Sequence, residues 1–168
     1  RPSPIVRRVY GEPRFHTDGD VAAVAFDSAG NILSIDESGL LQRWTADGKL
    51  LSRQFLSDLE TLWSFGPGAA VLASGNDDLL LWDVGTAQLL NRIPQDSWVT
   101  AIAFSPDGKY LVTDGKDSKY YLYEVGTGKL MLSQTTDSGK HITGLAFSPD
   151  STKLAIGDYA NQAIVIDL

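Results

Sequence analysis

The chain has 168 residues, 43% of them hydrophobic, which is the size of one domain with a real core. It contains no cysteine, so disulfides, thiolate metal sites and cysteine nucleophiles are excluded. The net charge of −7 argues against a binder of duplex nucleic acid, which needs a basic patch to displace phosphate counterions. No apolar run approaches the roughly 18 residues of a membrane span, and the opening RPSPIVRRVY lacks the apolar stretch of a signal peptide, so the chain reads as soluble with no membrane partner. A start at Arg1 fits a processed product or a piece of a longer protein.

In chain order, residues 1–4 read as a linker or cut end, and IVRRVY (5–10) as a lone strand. After a polar stretch, VAAVAF (21–26) alternates like a strand and is followed by the turn DSAGN, the strand NILSI, and a third strand ending in Trp44-Thr45. The turn TADGK then leads to KLLSRQ. The same succession returns three times. ETLWSF (60–65), VTAIAF (99–104) and ITGLAF (142–147) are followed by the turns GPGA, SPDGK and SPDST and the strands AVLAS, YLVT and KLAI. Third strands end at Trp82-Asp83, Tyr123-Glu124 and Ile166-Asp167, and fourth strands follow in QLLNRI and KLMLSQ.

The phenylalanines at 26, 65, 104 and 147 recur in steps of 39, 39 and 43 residues. A repeating unit of about 40 residues that holds four short strands joined by tight turns is the signature of a propeller blade. The expected fold is therefore all-β, a β-propeller with four four-stranded antiparallel blades. Their expected limits are about 20–56, 59–94, 98–135 and 141–168, within a propeller segment covering 5–168. The structural slots of the repeat are Phe26, Phe65, Phe104 and Phe147 on the first strand and Trp44, Trp82, Tyr123 and Ile166 on the third. Residues 5–10 are expected to be the fourth strand of a blade split between the two ends of the chain.

These slots, with the FSPDG-like turns, resemble the WD-repeat family along nearly the whole chain. One Trp-Asp pair, Trp82-Asp83, is intact, and the family's Gly-His pair is missing from every copy, with His16 and His141 lying near its position. The resemblance implies a buried network of His, Ser or Thr, Asp and Trp, for which blade two offers Ser74, Asp77 and Trp82, blade three Thr113, Asp117 and Tyr123, and blade one His16 and Trp44. It also implies rings of seven or eight blades, for which a four-blade ring is atypical, so that the chain is either a piece of a longer propeller or one of two copies that trade their 5–10 strands and close an eight-blade ring.

Catalytic motifs are absent. EVGTGKL (124–130) is not a phosphate loop, because Tyr123 and Leu130 stand where a P-loop has glycine and Ser or Thr. Two histidines without metal spacing do not make a zinc site, and no Ser, His and Asp set is assembled by any spacing. No cofactor is expected, and the chain is expected not to be an enzyme. The rival reading is a lactonase- or hydrolase-like propeller, or a small-ligand binder, using carboxylates at the channel mouth.

The resemblance implies that proteins dock on the face bearing the fourth-to-first and second-to-third connections. These segments hold 14 acidic and four basic residues, for a net −10, whereas the rest of the chain carries +3. The expected function is a non-catalytic scaffold whose acidic loop face receives a basic or neutral protein partner, a basic one complementing the charge of that face. The candidate binding residues are Asp36, Glu37, Asp77, Asp96, Trp98, Lys116, Lys140, Asp158 and Tyr159, with Trp98 and Tyr159 as aromatic anchors. Against this stands the ordinary use of Asp in turns to hydrogen-bond its own backbone.

Overall fold

The computed structural model describes residues 17, 19–57, 60–136 and 138–168; the strand expected at 5–10 and His16 lie outside them. The described residues form four antiparallel sheets. The first holds β1 (Val21–Phe26), β2 (Ile32–Asp36), β3 (Leu40–Trp44) and β4 (Leu50–Phe55). The second holds β5 (Leu62–Phe65), β6 (Val71–Gly75), β7 (Asp78–Asp83) and β8 (Gln88–Pro94). The third holds β9 (Val99–Phe104), β10 (Tyr110–Gly115), β11 (Lys119–Glu124) and β12 (Lys129–Thr135). The fourth holds β13 (Ile142–Phe147), β14 (Lys153–Asp158) and β15 (Ala163–Asp167). Every neighbour in a sheet is the next strand in the chain, so each sheet is a meander.

The register explains why the sequence slots recur. Phe26 pairs with Ile32, which pairs with Trp44; Phe65 with Leu72 and Trp82; Phe104 with Leu111 and Tyr123; Phe147 with Leu154 and Ile166. Directly paired residues share one side of a sheet, so each slot pair brackets an aliphatic residue in a single cross-strand row. In each of the three four-stranded blades a bulge falls at the third-strand slot, between Arg43 and Trp44, Leu81 and Trp82, and Leu122 and Tyr123. Such a bulge increases local twist, as a radiating blade requires.

Sheets stack face to face, and the first strands β1, β5, β9 and β13 succeed one another along the inner edge. Leu33, Ile35 and Leu41 of blade one meet Trp63, Leu72, Leu80 and Trp82 of blade two. Ala73, Leu79 and Leu81 on the other side of blade two meet Leu111, Tyr121 and Tyr123 of blade three. Val112, Tyr120 and Leu122 then meet Ile142, Leu154 and Ile156 of blade four. A blade thus has two apolar faces, which is why its central strands read as near-continuous hydrophobic runs and not as alternating ones.

The first-to-second turns follow their sequences. In SPDGK the Asp107 carboxylate accepts from Ser105 Oγ at 2.7 Å and from the Lys109 N–H at 3.1 Å; in SPDST, Asp150 accepts from Ser148 Oγ at 2.6 Å and the Thr152 N–H at 3.1 Å. These hydrogen bonds, led by the serine hydroxyl, hold each carboxyl down at about 2. GPGA has no carboxylate to organise it and winds instead into a short 3-10 turn over Pro67–Ala69, with Gly68 and Ala69 at positive φ. EVGTGKL is a strand connection as expected: the Gly128 N–H donates to the Glu124 carbonyl at 2.8 Å, and Thr127 Oγ1 to the Glu124 side chain at 2.6 Å.

Candidate functional site: the loop face

The fourth-to-first and second-to-third connections lie on one side of the sheets and are stitched together by backbone hydrogen bonds. The Glu37 N–H donates to the Asp20 carbonyl at 2.9 Å, Lys116 to Trp98 at 3.3 Å and Tyr159 to His141 at 3.0 Å; Val99 donates across the blade boundary to Asn76 at 3.0 Å. The loops that carry the candidate residues are therefore extensions of the sheet ladders.

Trp98 is 51% exposed although it immediately precedes buried Val99. Alternation in β9 puts Val99 into the core and leaves its neighbour outside. Lys116 Nζ lies 4.2 Å from the centre of the indole ring, a cation–π contact. One face of the anchor already carries a positive charge. Asp77 and Asp96 are exposed on the flanking connections, as are Glu37, Lys140 and Tyr159. Tyr159, at 73%, is the more open of the two aromatic candidates.

Asp36 requires a correction, because it is fully buried. Its Oδ1 accepts from the N–H groups of Ser38 and Leu40, both at 3.0 Å, and from Ser38 Oγ at 2.5 Å, closing the turn from β2 to β3. Asp158 repeats the device in blade four: it accepts from the Ala160 and Gln162 N–H groups at 2.9 and 3.1 Å and from Ser138 Oγ. Its carboxyl is held below the usual range, first by the Ser138 hydroxyl. Glu60 and Asp114 are also buried, and desolvation raises both carboxyls. Asp114 accepts from Thr100 Oγ1 at 2.7 Å. Acids of this face that count equally in the sequence thus divide into turn caps and surface charges. Among the described residues of these connections, the exposed acids are Asp20, Glu37, Asp77 and Asp96. With Lys116 and Lys140 exposed beside them, the outward charge is more evenly mixed than the sequence count implies.

The polar network of the blades is also narrower than the resemblance implies. Trp82 Nε1 donates to Ser74 Oγ at 3.0 Å, and Asp77 lies exposed, away from that pair. Blade one repeats the pair with Trp44 and Ser34 at 3.2 Å, a serine the sequence reading passed over. Its signal was its position, since Ser34 pairs in the ladder one row from the slot, as Ser74 does. In blade three the Tyr123 hydroxyl donates to Gln95 Oε1 at 2.9 Å, and Asp117 accepts from Tyr121 at 2.6 Å. Blade four fills the row with Ile156 and Ile166, with no polar pair at all. No group of three His, Cys, Asp or Glu side chains among the described residues is placed to hold a metal ion.

Four-stranded meanders stacked face to face about their first strands define a β-propeller protein. Residues 88–124 match the family described as "WD domain, G-beta repeat". The chain is 32% identical over 102 residues to the WD repeat-containing protein SL1-17 of Schistosoma mansoni, covering 59% of this chain and 33% of that one. It is 31% identical over 91 residues to the small ribosomal subunit protein RACK1y of Oryza sativa subsp. japonica (52% and 26%), and 30% over 84 residues to the nuclear distribution protein nudF 1 of Talaromyces marneffei (48% and 18%). Residues 88–124 are thus a WD repeat, and the chain as a whole is similar to WD-repeat proteins. It spans about a fifth to a third of the length of these relatives. In fold it is similar to the computationally designed Ika4 protein, at a TM-score of 0.71 and 22% identity, over 91% of this chain and 94% of that one.

Proposed function

We propose that the protein is a non-catalytic platform whose loop face binds a protein segment, with Trp98 as its central anchor. WD-repeat proteins are typically protein-interaction scaffolds. The observation that carries the proposal here is the half-exposed indole of Trp98, with Lys116 Nζ 4.2 Å from the centre of its ring. Aromatic side chains fixed in place on a surface are the usual energetic centres of protein interfaces. Asp77, Asp96 and Glu37 are exposed acids on connections of the same face, so a basic segment gains from steering, and its cation displaces Lys116 from the ring or takes the free face. Besides this partner, the proposal includes the blades that complete a ring, supplied by a longer chain or by a second copy. Nucleic acid and membrane are not among the proposed partners.

The test is titration of a lysine-rich peptide against the whole chain at low and high salt. Trp98→Ala should weaken binding at least tenfold, the order of about 2 kcal/mol expected of an interface anchor. Neutralising Glu37, Asp77 and Asp96 to Gln or Asn should weaken it several-fold and flatten the salt dependence. The control adds the same charge on the opposite face, as Ser28→Lys, Ala29→Lys and Ala46→Lys, all exposed positions. Equal binding by both triple variants overturns the proposal. Hydrolysis of a lactone or ester panel by the chain would favour the enzyme reading in its place.

A further inference from the structure

Three times within this chain, the side of a blade that carries the slot row packs on the opposite side of the blade before it. Those two sides differ in kind. The row side presents Phe65, Phe104 and Phe147, each half-buried by the preceding blade. The receiving side presents several small residues on the first two strands, among them Ser64, Ala73 and Gly75 in blade two and Ala101 and Ala103 in blade three, and large ones on the third, Leu79 and Leu81 in blade two and Tyr120 and Leu122 in blade three.

On each of the two outermost blades part of such an interface is exposed, on blade one along the first strand alone, because Ser34, Gln42 and Trp44 of the same side are buried. On blade one, Phe26 is 69% and Val24 67% exposed, far more than the equivalent residues of the other blades. On blade four the receiving side is open: Gly144, Ala146, Ala155 and Ala163 are exposed, and Val165 is 64% exposed. Gly144, Ala146, Ala155 and Ala163 line a shallow hollow of about 270 Å³. The hollow exists because Ala163 and Val165 stand where the earlier blades have Leu79 and Leu81, or Tyr120 and Leu122.

We infer that a second copy of this chain covers both faces, each copy's blade one packing on the other's blade four, so that two chains close one eight-blade ring. This deepens the ring-completion part of the proposed function and is independent of the loop-face partner. A single kind of contact, already used three times in the fold, recurs twice between the copies. The repeat also gives the residues that meet. A Cβ on Gly75 would lie 2.9 Å from the Val99 Cβ of the next blade. Val99 lies five residues before Phe104 as Val21 does before Phe26, and Gly157 holds the ladder position of Gly75. Val21 of one copy therefore sits over Gly157 of the other.

Light scattering of the full chain should give twice its 18.2 kDa mass at micromolar concentration. Phe26→Asp and Ala155→Arg should each give folded monomers, verified by circular dichroism. Mixed one to one, they should recover a two-chain species, because one intact interface remains between them. The chain has no cysteine, so V21C and G157C chains provide a second readout. Oxidised together they should form a disulfide-linked dimer, and either alone should not, since a disulfide needs Cβ atoms about 4 Å apart. A monomer at every concentration overturns the inference, as it would if blades of a longer chain were the natural cover. So does a dimer that survives Phe26→Asp but not Ala155→Arg, which would be a symmetric blade-four contact, and so does a ladder of higher species, which a non-closing contact produces. None of these outcomes bears on peptide binding at Trp98, so the two proposals fail separately.

Discussion

The bond between Ser74 and Trp82 tests whether the blades depend on their one recurring polar pair. Both residues are buried, and the indole N–H reaches Ser74 Oγ at 3.0 Å. Ser74→Ala removes the acceptor and strands a donor where water cannot follow, a loss of about 1–3 kcal/mol. Trp82→Phe removes the donor and also shrinks the ring against Leu33 and Ile35 of blade one; it should cost less than the roughly 3–5 kcal/mol of complete truncation. The double variant should then be about 0.5–1.5 kcal/mol more stable than the sum of the two single losses predicts, because the hydrogen bond can be lost once. Urea unfolding followed by tryptophan fluorescence and far-UV circular dichroism reads this directly. With a slope of about 2 kcal/mol per molar, Ser74→Ala alone should lower the midpoint by about 0.5–1.5 M. A Ser74→Ala midpoint indistinguishable from wild type, or strict additivity in the cycle, would refute the reasoning and reduce the pair to a by-product of packing.

Gly39 holds φ at +79° in the turn between β2 and β3, and a Cβ there would overlap the Ser57 carbonyl oxygen at 1.6 Å. Gly39→Ala should therefore destabilise blade one by several kcal/mol, through strain and displacement of the neighbouring connection; a thermal melt within about 2 °C of wild type would contradict this. Glu60 is buried and its carboxyl is raised above the ordinary 4.5, chiefly by desolvation and then by Asp78, with Arg92 opposing. The folded chain thus holds this proton to higher pH than the unfolded chain does, so its effect on stability worsens as pH rises from about 4.5 through the folded value. Glu60→Gln should match or exceed wild-type stability at pH 7, and the advantage should disappear as the pH falls below 4.5; a constant difference across that range would exclude the assignment.

Much of the fold was legible because the unit repeats. The phenylalanine spacing, the turn residues and the third-strand slots fix which residues pair, and the ladders place Phe65, Leu72 and Trp82, for instance, in one row. The loop face was read less well, for a physical reason. Asp36 and Asp96 look alike in sequence, yet one closes a turn from within and the other faces solvent, and the difference lies in the hydrogen bonds of residues two and four positions on. Asp followed two residues later by Ser and four later by a strand start is a cap signature that would have set Asp36 aside. The pairing of Lys116 with Trp98 joins two loops 18 positions apart, and only the ladder between β9 and β10 brings them together. GPGA departed from the other first turns because it lacks the aspartate that organises them.

The segment matching the family description runs from the fourth strand of one blade through the third strand of the next. Its limits are therefore offset from those of the sheets. Excising residues 88–124 would join β7 to β12 through residues 84–87 and 125–128, and β12 would inherit the edge of blade two. Every sheet that survived would keep its full complement of strands. A tandem array cut in this frame gains or loses members by duplication and deletion without ever passing through a chain with a broken sheet. Selection on such a gene acts on the number of blades, while the integrity of each is preserved by where the copying unit begins.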